Sequence, residues 1–210
     1  MNGDSPQTLV VHDLARRFGR HRVVERMNLA LAPGERAVLW GPNGSGKTTV
    51  LRCVAGTLLP SRGRVTVAGH TAGTIEARSL VGVSLSQERA FYLRLSGRAN
   101  LVLFARLRQY RAREAARQVS ALVEELELGE IARERMDRCS TGMVQQISFA
   151  RALLGEPALL LLDEPTRSLD SGAVSRLWAA IARRPKAAVL IATHNNDDAA
   201  RCEKRVEFPT

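Results

Sequence analysis

A chain of 210 residues with 45% hydrophobic side chains has the apolar material for one cored domain, and it contains no run of about 20 apolar residues that would cross a bilayer. Its formal charge of +10 points either to an anionic partner, nucleic acid or membrane, or simply to abundant arginine: the lysines are Lys47, Lys186 and Lys204, and the basic residues are spread along the chain. Cys53, Cys139 and Cys202 are isolated with no CxxC pair, which argues against a zinc site or a disulfide framework, and the polar residues 1–7 do not read as a signal peptide, so a cytoplasmic chain is expected.

In chain order, residues 8–14 read as a strand. Residues 35–40 are an apolar strand candidate that runs into Gly41-Pro42-Asn43-Gly44-Ser45-Gly46-Lys47-Thr48. Residues 46–55 are helix-like and stop at Gly56, a C-cap glycine. Residues 58–63 read as a turn, residues 64–68 alternate like a strand, and residues 80–86 form another short strand leading to Gln87. The texture then changes. Residues 96–128 are helical in pattern, with Leu101, Phe104, Ala105 and Arg108 at helical spacing and a basic face of Arg106, Arg108, Arg111, Arg113 and Arg117. A second helix is expected over residues 112–128, and Ser96 reads as the N-cap of the first. Ser140-Thr141-Gly142-Met143 opens a further helix. An apolar run over residues 158–162 ends at Asp163-Glu164; a helix over 172–183, a strand over 187–192, His194, a helix over 196–202 and a strand over 205–208 follow. The alternation predicts an α/β domain with parallel βα units, interrupted by a helical insertion near residues 88–145.

The glycine-rich segment is a complete P-loop in its expected setting, a strand before and a helix after. Such a loop points successive backbone N–H groups at phosphate oxygens, and the following helix adds its positive end. Lys47 would reach the β- and γ-phosphates and Thr48 would hold Mg²⁺. Asp163, at the C-terminal tip of a buried strand, can hold the same metal. Strand alternation aims Glu164 elsewhere, toward an attacking water, as the candidate general base. The plainer reading of Asp163-Glu164, a solvated turn after a core strand, loses weight behind a full P-loop.

Together these residues resemble the nucleotide-binding subunit of ABC transporters over nearly the whole chain. The resemblance implies a P-loop NTPase core of the ABC ATPase type with an antiparallel β subdomain and an inserted α-helical subdomain. One ABC domain would then occupy residues 1–210, with residues 1–87 and 146–210 as catalytic core and about 88–145 as helical subdomain. It implies ATP and Mg²⁺ as ligands. Gln87 sits where the family's Q-loop glutamine touches Mg²⁺ and the attacking water; His194 resembles the switch histidine at the γ-phosphate; Ser168-Leu169-Asp170 resembles the D-loop; Phe18 matches the aromatic that stacks on adenine. The implied catalytic set is Glu164, His194 and Gln87, and the implied metal set is Thr48, Gln87 and Asp163. The nucleotide would be held by Phe18, Gly41, Pro42, Asn43, Gly44, Ser45, Gly46, Lys47, Thr48, Thr49, Ser140, Gly142 and Asp170.

Residues 139–146 resemble the LSGGQ signature and its continuation. They depart from it at Cys139, Thr141, Met143 and Gln146, and keep Ser140 and Gly142: a hydroxyl and a helix N-terminus open to a γ-phosphate. Leu95-Ser96-Gly97-Arg98 begins in the same way but lies too early relative to Asp163. In the family the signature meets the γ-phosphate from the opposite subunit. The implied partners are therefore a second ATP-binding subunit, identical or paralogous, and an integral membrane transport subunit, which in the family faces the stretch at Leu95-Ser96-Gly97-Arg98; Phe91, Tyr92 and Leu93 just ahead of it read either as its apolar contact or as ordinary packing. The expected location is the inner face of the cell membrane, as a peripheral protein.

The Ser-x-Gly-Met variant and Arg94-Leu95-Ser96-Gly97-Arg98 resemble exporter subunits for drugs, polysaccharides or lipids. The short tail after His194 leaves no room for the regulatory domain of sugar importers, and the compact length keeps the haem-exporter ATPase of cytochrome c maturation as an alternative. A soluble ABC ATPase acting on nucleic acid or ribosomes suits the charge, but such proteins usually carry two cassettes or a long coiled-coil insertion; no direct nucleic-acid partner is expected. A non-hydrolysing module would need a damaged site, and Lys47, Thr48, Asp163 and Glu164 are all present.

Overall fold

The computed structural model describes residues 7–85 and 91–208. Two sheets organise it. The first is antiparallel, built from β1 (Leu9–Phe18), β2 (His21–Leu31), β4 (Arg62–Val67) and β5 (His70–Thr71) in the order β2-β1-β4-β5. The second is parallel, built from β3 (Arg36–Trp40), β6 (Val81–Ser84), β7 (Leu159–Asp163), β8 (Ala188–Thr193) and β9 (Lys204–Glu207) in the order β6-β7-β8-β3-β9.

Strand alternation divides the core. Leu159, Leu161, Ala188, Leu190, Ala37 and Leu39 point to one side, where they pack with α1 (Lys47–Val54) and the antiparallel sheet. Their neighbours Leu160, Leu162, Val189 and Ile191 point to the other, against α5 (Thr141–Leu153) and α6 (Ser171–Ala182). Because both faces of the parallel sheet are covered, β7 and β8 are apolar at nearly every position instead of alternating with polar residues.

The helical block holds α3 (Gly97–Leu107) and α4 (Ala112–Glu125), which bury Leu101, Ala105, Ala115, Val119 and Leu122. Ser96 caps α3, its Oγ accepting from Ala99 N–H at 3.1 Å. Short helices α2 (Ile75–Ser79) and α7 (Asn196–Ala199) are capped by Thr74 and Asn195. The expected subdomain boundary near residue 145 falls inside α5, which spans both layers.

Several elements differ from expectation. β2, β5 and α2 were not anticipated, and α4 ends at Glu125 where a helix to residue 128 was expected. β2 was hidden because its buried positions, Val24, Met27 and Leu31, recur at helical spacing. The register shift between the pairs Leu14–Met27 and Arg16–Val24, two steps on β1 against three on β2 with Arg26 at φ +47°, produces that spacing in a real strand. Arg108 does not belong to the basic face: it folds inward, donating to Val81 O at 2.6 Å and Ser79 O at 3.2 Å. Burial pulls its pKa down from the usual arginine value, and the nearby Arg151 charge pulls the same way.

Candidate functional site

The P-loop joins β3 to α1. Gly46, the residue before α1, has φ +103° and sits against β2, where a Cβ would lie 2.7 Å from Val23 O. No other residue supplies both that left-handed backbone and that close approach without strain. Lys47 is almost fully buried and donates to Gly41 O at 2.7 Å and Pro42 O at 2.8 Å, bridging the mouth of its own loop. Ser45 Oγ is buried in the loop with no hydrogen-bond partner. A buried hydroxyl left unsatisfied beside Gly41 suits the oxygen of a bound anion. Thr49 follows within α1 and is half-buried.

Thr48 Oγ1 donates to Asp163 Oδ2 at 2.9 Å, so the first turn of α1 meets the tip of β7. These are hard oxygen donors that suit Mg²⁺, an ion usually held by one or two carboxylates together with phosphate. Among the described residues no cluster of three or more His, Cys, Asp or Glu forms a metal cage. Gln87 lies outside the described residues.

Glu164 follows Asp163 but faces a different way, and the cause is not strand alternation. The strand has ended, and Glu164 adopts φ +48°, a conformation uncommon for a residue with a side chain. Its N–H is held by Ala192 O at 2.8 Å. The buried carboxylate accepts from Thr193 Oγ1 at 3.0 Å on one oxygen and contacts His194 Nδ1 at 2.7 Å on the other. Asn43, Glu164, Thr166, Arg167, His194 and Asn195 line a cavity of about 190 Å³ beside it. His194 is exposed toward solvent, so the pair is open on one side.

Thr193, Thr166 and Asp198 are support residues that sequence reasoning missed. Thr193 also accepts from Asn195 N–H at 3.0 Å. Thr166 Oγ1 donates to the buried Asp198 at 2.7 Å, tying the loop after β7 to α7. Burial pushes Asp198 above the usual carboxylate range; the Thr166 bond opposes this and the Glu164 charge adds to it. Thr193 was legible as a neighbour of His194, but nothing in the sequence marked Thr166 or Asp198.

The remaining predicted residues lie farther out. Phe18, at the end of β1, is 48% exposed, with the Arg16 guanidinium 4.4 Å from its ring centre. The β2 strand that follows runs past Gly46 at Val23, which brings this hairpin to the P-loop. Asp170 caps α6, accepting from Ala173 N–H at 2.7 Å. Ser140 caps α5, accepting from Met143 N–H at 3.2 Å, and it is exposed. Gly142 lies directly against Ser168 O.

The profile of the ABC transporter family matches residues 24–167. The chain is 34% identical to the daunorubicin resistance ATP-binding protein of Streptomyces coeruleorubidus over 82% of its own length and 55% of that protein's. It is 36% identical to the zinc import ATP-binding protein of Roseobacter denitrificans over 88% of its length and 68% of that protein's. The chain thus spans little more than half of the first of these relatives. A solved ATP-binding subunit of an ABC transporter superposes with a TM-score of 0.86 at 27% identity, covering 96% of this chain and 85% of that one.

Proposed function

This chain belongs to the ABC transporter family as an ATP-binding domain, and from that premise we propose that it hydrolyses ATP at a site shared by two ATP-binding subunits and so powers an exporter. The observation that carries the reading is the Glu164 carboxylate, held between Thr193 and His194 one residue beyond the Thr48–Asp163 contact. A base so fixed stands at the phosphate end of the P-loop, ready to take a proton from water attacking the γ-phosphate. Lys47 would exchange its two carbonyl acceptors for phosphate oxygens, and the N–H groups of Gly44 to Thr48 would hold the chain of phosphates. His194 would stay against Glu164 through Nδ1 and turn Nε2 toward the γ-phosphate. Mg²⁺, held by Thr48, Asp163 and Gln87, would neutralise charge on the phosphates. Phe18 would stack on adenine with its open face.

Support for two subunits comes from the signature helix. Ser140 and Thr141 are exposed, and neither lines the cavity beside Glu164. The tip of α5 is thus free to meet nucleotide on another molecule, with Asp170 and its loop beside it. Support for export comes from Ser140-Thr141-Gly142-Met143 and from the drug-resistance relative. Tyr92 and Leu93, about 60% exposed, offer an apolar seat for an integral membrane subunit. No described helix is long and apolar enough to cross a membrane itself. We read residues 1–210 as one such domain, with a helical subdomain at about 88–145 and the chain docked on the inner face of the membrane.

Glu164→Gln tests this. The variant is expected to bind ATP normally, to turn over about 10²- to 10⁴-fold more slowly, and to accumulate as an ATP-dependent dimer in size-exclusion chromatography. Normal turnover by the variant overturns the assignment of Glu164.

A further inference from the structure

β6 is the outer strand of the parallel sheet, with β7 as its one neighbour. Its carbonyls at Val81 and Val83 are met by arginines from two different helices. Arg108, at the end of α3, donates to Val81 O at 2.6 Å, and Arg151, from α5, donates to Val83 O at 3.2 Å. α5 lies on β6 at two further points. Ser84 Oγ donates to Ser148 Oγ at 3.0 Å, and Gly82 lies so close under Ala152 O that no side chain fits there. Ser148 and Ala152 are four residues apart on one face of the helix. Their contacts set the distance between helix and strand at two points along a single line of the helix.

Arg151 sits beside that stripe and reaches sideways. Its guanidinium lies 5.1 Å from the ring centres of both Phe91 and Phe104. The two rings meet edge to face at 5.9 Å. One side chain therefore ties α5 to the edge of the sheet and to the aromatic pair of the helical block. A planar guanidinium does this; an ammonium offers no flat face to two rings. The opposite end of α5 is the Ser140 tip, 11 residues away and thus about 16 Å along the axis. Over that length a tilt of about 10° moves the tip by about 3 Å, far beyond what a hydrogen bond to phosphate tolerates.

We infer that Arg151 is a positioning residue: it fixes the orientation of α5 and thereby aims Ser140 at nucleotide held by a second subunit. The inference rests on the two-subunit reading above. It predicts that damage at Arg151 appears in the mate's site and leaves the residue's own site working.

Mixed dimers of the chain test it, with one subunit carrying Glu164→Gln so that one cradle alone turns over. Arg151→Ala placed on the Glu164→Gln subunit is expected to slow the working cradle about tenfold to a hundredfold. Placed on the working subunit, it should leave the rate within about twofold, with monomer affinity for ATP unchanged in both cases. Arg151→Lys, which keeps charge and stem, is expected to show the same asymmetry with a smaller loss, and it supplies the result if the alanine variant does not fold. Equal loss in both arrangements, loss confined to the variant's own cradle, or no loss overturns the inference while leaving the two-subunit reading intact. If Glu164→Gln alone forms no ATP-dependent dimer, that reading falls and this inference with it.

Discussion

Asp163 and Glu164 are consecutive carboxylates with separate partners. One meets Thr48 and the other meets Thr193 and His194, because the backbone turns into the left-handed region between them. A non-glycine residue held there costs about 1–3 kcal/mol, and here the Ala192 carbonyl and the Thr193 hydroxyl hold it in place. Lys47 is preorganised in a similar way, its ammonium already at the loop mouth on two carbonyl oxygens. On the proposed reading, in which phosphate oxygens replace those carbonyls, Lys47→Ala removes two charge-assisted bonds worth about 1.5–3 kcal/mol each. At tenfold per 1.4 kcal/mol, ATP affinity is expected to fall about a hundredfold or more. Equilibrium binding of a fluorescent ATP analogue measures it, and unchanged affinity would remove Lys47 from the phosphate cradle.

Among the elements, α5 and β6 show how backbone contact decides position. Gly82 is a strand residue with ordinary backbone angles, so its need for glycine comes from Ala152 O lying directly over it. Gly82→Ala forces α5 off the strand or bends β6, and overpacking of this kind costs about 1–3 kcal/mol. Because the obstacle is backbone, the upper end is expected, as a lowered urea midpoint at unchanged slope. β2 teaches the converse lesson. Its buried residues look helical in sequence because β2 carries an extra residue between Val24 and Met27, where Arg26 takes φ +47°, and no local pattern encodes where a bulge will fall.

At the scale of the whole molecule, Glu125 and Arg184 tie the helical block to the layer of the parallel sheet. Glu125 ends α4 and accepts two parallel bonds from Arg184 at 2.8 and 2.9 Å, with Arg183 at 3.4 Å. Those bonds, led by Arg184, hold the Glu125 carboxyl below its usual range despite partial burial. Depressed in the folded state, it stabilises the fold fully above the unfolded pKa of about 4.3 and ceases to do so as pH falls through its lower folded value. Glu125→Gln is expected to cost about 1–2 kcal/mol at pH 7, less than a fully buried pair because both side chains retain some exposure. The difference from the parent chain should shrink below the unfolded pKa and vanish as pH falls through the lower folded value, as read in thermal melts; a gap that persists in strong acid would assign the effect to packing.

The P-loop, Asp163-Glu164 and the signature segment were legible in the sequence because each is contiguous, and because alternation and capping are written residue by residue. So were the parallel strands, whose unbroken apolar runs follow from burial on both faces. Four features needed the chain to close on itself: the antiparallel partner β2, the Thr166–Asp198 support, the inward turn of Arg108, and the grip of Arg151 on two rings and a strand edge. Each joins residues distant in sequence whose side-chain types are common on any surface. Local propensity and pattern therefore settled the kind of site this chain carries, while long-range packing alone decided how its carboxylates are aimed and how its signature helix is held.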